Sequence, residues 1–95
     1  MVIIKRGVAG SVESSDVNII IDPSDSNGID IELQSVVIKQ FGNQIRKVVE
    51  DTINSYGIKN AKVYVIDRGA IDYVIKSRTE AALYRACDKP EGLWE

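Results

Sequence analysis

The chain reads as an α+β domain, a mainly antiparallel β-sheet packed by two α-helices in the order β-β-β-α-β-β-α. Three observations predict that class. Apolar residues alternate with period two through the first third, take up a period near 3.6 from Ser35, and alternate again from Ala61. Turn residues separate these segments, most clearly at Pro23-Ser24-Asp25-Ser26-Asn27-Gly28. Finally, 95 residues with 44% hydrophobic and 27% charged side chains suit one small domain with a single core.

Val8, Gly10 and Val12 alternate along a first strand, and Val17, Ile19 and Ile21 along a second, Val17 to Asp22. Ile29, Ile31 and Leu33 alternate with Asp30, Glu32 and Gln34, and the Asn27-Gly28 turn predicts that this third strand pairs back as a hairpin. Asp25, Asn27 and Gly28 faintly resemble a calcium loop. Pro23 stands where the first ligand belongs and Gln34 where the bidentate Glu belongs, so calcium is excluded.

From Ser35, the residues Ile38, Phe41, Ile45, Val48, Val49, Thr52 and Tyr56 form one helical stripe. Phe41 and Ile45 are expected in the core, one turn apart. Gly42 marks a close approach or a late helix start, and Gly57 a left-handed helix end. Ala61 to Ile66 is a further strand and Asp67-Arg68-Gly69-Ala70 its turn. Ile71, Tyr73 and Ile75 then alternate as a fifth strand. The last helix opens on a capping box, Ser77-x-x-Glu80, and shows a small-residue face through Ala81, Ala82, Leu83 and Ala86. Residues 1–88 make the domain and 89–95 a tail, whose Trp94 either folds back or is offered to a partner.

The chain has no histidine, which removes the commonest general base and the commonest metal ligand together. An independent hydrolytic or metal-dependent enzyme is not expected. Cys87 is the only cysteine, so no internal disulfide forms and a reducing cytoplasm fits. No apolar run reaches membrane-spanning length, and Val2-Ile3-Ile4 before Lys5-Arg6 is too short and misordered for a signal peptide. Charge is segregated: residues 1–35 hold six acids against Lys5 and Arg6, and residues 36–78 hold eight Lys and Arg against four acids. The acidic first third argues against nucleic acid. The basic middle, with Arg46, Lys47, Arg68, Lys76 and Arg78, is a candidate docking face.

The stretch most suited to chemistry is Gly10-Ser11-Val12-Glu13-Ser14-Ser15-Asp16-Val17. Ser14 and Ser15 fall at the turn between the first two strands, where a hydroxyl is exposed and accurately placed. A covalent modification there leaves the core undisturbed. The plainer reading is a turn whose hydroxyls bond the local backbone, and turn chemistry alone does not choose between the two serines. Asp67, Arg68 and Asp72 form a weaker candidate for stand-alone catalysis, which a turn or salt bridge equally explains.

Longer segments carry a resemblance. Ala9-Gly10-Ser11-Val12-Glu13-Ser14-Ser15-Asp16-Val17, Lys39-Gln40-Phe41-Gly42-Asn43-Gln44-Ile45-Arg46 and Asp67-Arg68-Gly69-Ala70-Ile71-Asp72 stand in an order and spacing similar to the acyl carrier (gamma) chains of citrate lyase. Glu32-Leu33-Gln34-Ser35, Ile75 to Leu83 and Leu93-Trp94-Glu95 add to it. The resemblance spans about residues 8–86. It implies a covalent phosphoribosyl-dephospho-coenzyme A arm on the serine matching Ser14. It also implies a non-catalytic carrier that moves acetyl and citryl thioesters between a transferase (alpha) and a lyase (beta) subunit as citrate becomes acetate and oxaloacetate. A prosthetic-group transferase would attach the arm. The helical bundle of ordinary fatty-acid carriers, with Asp-Ser-Leu at a helix start, is not expected from this strand-rich pattern. The competing expectation is a small non-covalent adaptor or regulatory domain.

Overall fold

The period-two segments do form strands. In the computed structural model, which describes residues 2–87, Gly7–Gly10 (β1), Val17–Asp22 (β2), Gly28–Ser35 (β3) and Asn60–Asp67 (β4) build one sheet in the order β1-β2-β4-β3. Helices Ile38–Ser55 (α1) and Asp72–Ala86 (α2) are the other elements among the described residues. Trp94 and the tail lie outside the described residues.

Register explains the core. Ala9 lies opposite Ile19, Ile19 opposite Val65, and Val65 beside Leu33, so one apolar row crosses the whole sheet. Gly7, Ile21, Val63 and Ile31 make the next row. Helix α1 packs on β3, and α2 packs on β1, β2 and α1, closing the face that carries these rows. On the other face, ion pairs join Arg6 to Asp22 at 2.7 Å and Lys62 to Asp30 at 2.8 Å.

Four expectations are corrected here. The third strand does not form a hairpin with the second. β4 inserts between them, antiparallel to β2 and parallel to β3, so the sheet is mixed. The unit β3–α1–β4 is a crossover in which the helix returns the chain to the starting end of the sheet. Second, Ile71 to Ile75 is not a fifth strand but the opening of α2, and the order is β-β-β-α-β-α. Ile71 and Ile75, four residues apart, fit the helical period as well as the alternating one. Ile75, Thr79, Ala82, Leu83 and Ala86 continue at helical spacing and are all buried, so the longer pattern wins. Ser77 and Glu80 therefore sit inside the helix rather than at its start, and Glu80 instead accepts a hydrogen bond from the Tyr56 hydroxyl. Third, the inward face of β1 is Gly7 and Ala9, not Val8 and Gly10.

The fourth correction is Phe41, which is 47% exposed. Helix α1 turns Gly42, Ile45, Val49, Thr52 and Ile53 inward, so Ile45, Val49 and Thr52 are buried as the expected stripe has them, while Gly42 and Ile53 take the place of Phe41. Glycine is suited to its position. A Cβ on Gly42 would stand 3.0 Å from Ile38 Cδ1, a tight approach that the end of that side chain would have to yield to, and 4.0 Å from Leu33 Cδ2, an ordinary contact. Phe41→Ala is accordingly expected to cost only about 1 kcal/mol in chemical unfolding, the share a half-buried ring contributes. A loss of about 3 kcal/mol or more would put Phe41 back in the core.

Candidate functional site

Ser14 and Ser15 lie in the connection between β1 and β2, as the alternation of the flanking strands predicts. Residues 13–16 form a tight turn, in which Asp16 N–H donates to the Glu13 carbonyl at 3.1 Å. Ser15 takes the third position with φ 66°, a left-handed conformation that costs a non-glycine residue on the order of 1–2 kcal/mol. Such backbone strain survives only where its surroundings hold it.

Those surroundings are specific. Ser15 N–H donates to the Arg68 carbonyl at 2.8 Å, and Arg68 N–H donates to the Asp16 carbonyl at 2.9 Å. The turn is thereby stitched to the end of β4 on both sides of its strained residue. Arg68 Nη1 also donates to the Val12 carbonyl at 3.1 Å. Asp16 anchors the base of the loop. It accepts from the Ser11 hydroxyl at 2.7 Å, from Val17 N–H at 2.7 Å and from Arg78 Nε of α2 at 3.1 Å. Ser11 in turn accepts from Glu13 N–H at 3.2 Å. At the foot of the loop, Gly10 has φ 86° and lies against the Val17 carbonyl, which a Cβ would meet at 1.8 Å.

Ser14 itself stays outside this network. It is exposed, and its hydroxyl makes no hydrogen bond among the described residues. The arrangement is an accurately held turn with a free hydroxyl at its tip.

The Ser11 hydroxyl, the Val17 amide and the Arg78 guanidinium together hold the Asp16 carboxyl down at about 2. The folded pKa lies below the unfolded one, so the stability it adds is present above about pH 4 and disappears as the pH falls toward 2. Asp16→Asn should remove that acid-sensitive component and cost about 1.5–3 kcal/mol at neutral pH, the usual loss of a charge-assisted hydrogen-bond set. Unfolding curves at pH 7 and pH 3 measure both. An unaltered acid limb in the variant would show that Asp16 does not brace the loop.

Asp67, Arg68 and Asp72 do not converge. Asp67 is buried and accepts from the Ser35 hydroxyl at 2.7 Å and from Ala70 N–H at 3.0 Å, pinning the end of β3 to the turn after β4. Asp72 faces Gln44 and Arg68 faces Val12. The basic residues also separate. Arg68 and Arg78 gather at the loop, whereas Arg46 bonds the Ile31 carbonyl and Lys47 pairs with Asp51 along α1. The roles of Arg68 and Arg78 had no local signal, because each is more than fifty positions from its partner in the loop.

A family profile described as "Malonate decarboxylase delta subunit (MdcD)" matches residues 4–86. A relative from Halothermothrix orenii, named "Citrate lyase acyl carrier protein", is 52% identical over 90% of this chain and 90% of its own length. Relatives of the same name from Streptococcus mutans and Oenococcus oeni are 51% and 48% identical, over 86% and 100% of this chain and 80% and 98% of theirs. The chain belongs to the citrate lyase acyl carrier protein family. Within that family it is a carrier subunit, not a catalyst. Its fold is also found in a chain of a solved structure described as "Crystal structure of a Pseudomonas malonate decarboxylase hetero-tetramer in complex with malonate". The two agree with a TM-score of 0.72 at 20% identity, over 87% of this carrier and 84% of that chain. No helix among the described residues of the carrier is long and apolar enough to cross a membrane.

Proposed function

We propose that this carrier serves a citrate lyase and bears a phosphoribosyl-dephospho-coenzyme A arm in phosphodiester linkage on Ser14. The observation that carries the reading is the exposed Ser14 hydroxyl, without a hydrogen bond among the described residues, at the tip of a turn braced from β4 and α2. The residues present fit such a group. Attachment needs a hydroxyl that a modifying enzyme can reach, with no buried partner to surrender, and Ser14 meets both conditions. Ser15 offers a hydroxyl too, but its backbone is locked by the Arg68 carbonyl and by its left-handed conformation.

When bound, the arm supplies a thiol that holds the acyl group as a thioester. The chain itself supplies position. Asp16, Ser11, Arg68 and Arg78 keep the tip in one place, and the sheet beneath keeps it clear of the core. With Asp16 committed to Ser11 and Arg78, Glu13 is the carboxylate beside the tip free to repel a polyanionic arm. Tethering raises the effective concentration of the carried group to the order of millimolar at each catalytic site. The partners on this reading are the alpha (transferase) and beta (lyase) subunits of citrate lyase, in cleavage of citrate to acetate and oxaloacetate, together with the prosthetic-group transferase. The compartment is the cytoplasm, residues 1–88 act as the carrier domain, and 89–95 are its C-terminal tail. Arg68 and Arg78 are the docking residues nearest the arm.

Thiol titration of the native chain tests the reading. Cys87 is buried, and burial pushes its thiol up, so it should stay silent in the folded protein. Chain co-expressed with the prosthetic-group transferase should show one reactive thiol and the matching gain in intact mass. A chain that gains neither is a non-covalent adaptor.

A further inference from the structure

Two of the large apolar side chains left in solvent, Phe41 and Ile71 (70% exposed), border the same cavity. It has a volume of ≈ 400 Å³ and opens between the start of α1 and residues 69–72. Ile45 and Ala70 continue its apolar wall, and Gln44 and Asp72 form a polar edge, where Gln44 Nε2 donates to Asp72 Oδ2 at 2.8 Å. That bond leaves the Gln44 carbonyl and the second Asp72 carboxylate oxygen as acceptors without a partner among the described residues.

The cavity begins where the turn is stitched down. Ser15 N–H bonds the Arg68 carbonyl, and the next residue, Gly69, is already part of the cavity wall. From Ser14 the path runs through one chain neighbour, one hydrogen bond and one more residue, roughly 10–15 Å at 3.8 Å per Cα step. We propose that this cavity seats the adenine ring of the arm attached at Ser14, an inference that rests on the carrier reading above. Adenine is flat and apolar on both faces, which suits Phe41 and Ile71, and its exocyclic amino group donates hydrogen bonds, which suits the two free acceptors. The ring sits near the attached end of the arm and the thiol at the far end, so seating the ring shortens the swing of the arm without holding the acyl group. Because the ring is tethered, a contact too weak to bind free nucleotide is populated here.

The test uses the full chain carrying its arm, with attachment at Ser14 confirmed by mass, beside the unmodified chain. Proton NMR should show contacts from adenine H2 and H8 to the Ile71 methyls and the Phe41 ring. The adenine lines should be several-fold broader than those of a free nucleotide. Arm-bearing Phe41→Ala and Ile71→Ser, both altered at exposed positions, should keep the dispersed spectrum of the fold, lose these contacts, and narrow the adenine lines several-fold. A mass-verified arm with sharp adenine lines, or with contacts elsewhere on the domain, overturns the seat and leaves the carrier reading standing. A chain that takes up no arm beside an active transferase overturns both.

Discussion

Ser14→Ala should abolish attachment of the arm, and with it all acyl exchange, while leaving the fold intact. The side chain is exposed and carries no hydrogen bond among the described residues, so its removal is expected to change unfolding free energy by less than about 0.5 kcal/mol. The contrast between total loss of one property and no change in the other is what separates an attachment site from a structural turn residue. Ser15→Ala should leave attachment working, since the backbone bond to Arg68 does not need the side chain. Ser15→Gly should gain stability of up to about 1 kcal/mol by relieving the left-handed strain. Intact mass, an acyl-exchange assay and a denaturant melt decide among these. Normal attachment in Ser14→Ala would move the site to another residue.

Gly7→Ala should damage the fold severely for so small a substitution. A Cβ at Gly7 would stand 2.0 Å from the Ala82 carbonyl oxygen and 2.5 Å from the Ala86 nitrogen, both backbone atoms of α2. Neither can step aside as a flexible side chain would, so α2 has to lift from β1. Overpacking of this kind costs about 3 kcal/mol or more where relaxation is blocked, a large share of the 5–15 kcal/mol that stabilises a typical domain. Because α2 also holds Asp16 through Arg78, the same substitution should loosen the loop and slow modification of Ser14. Urea unfolding measures the first effect and the rate of arm attachment the second. An unchanged unfolding midpoint would show that α2 does not lie on β1 at this point.

These two positions also show what was legible before the structure. Ser14 was placed by a local rule: two alternating segments with polar residues between them put the turn where it is. The strands β2, β3 and β4 were visible for the same reason, since alternation is carried by neighbours in sequence. The insertion of β4 between β2 and β3 was not, because strand pairing depends on residues some thirty positions apart, as with Glu32 beside Tyr64. Ile71 and Ile75 fit two periods at once, and only the downstream burial of Thr79 and Leu83 selects the helix. Phe41 was misplaced because residue size suggests burial, whereas in α1 the inward position belongs to Gly42, which has no side chain to register in any hydrophobic count. Gly7 was invisible for the same reason: its importance lies in how closely α2 approaches.

Peptide-level mapping of the chain after co-expression with the prosthetic-group transferase tests the central claim most directly. The fragment spanning Ser11 to Asp16 should carry the whole mass of the arm, and fragmentation should place it on Ser14. Alkali should release it by elimination and leave dehydroalanine at that residue, as a serine phosphodiester does. An arm found on Ser15 would contradict the residue assignment, and a fragment unmodified at both serines, beside a transferase shown to be active, would contradict the carrier site altogether.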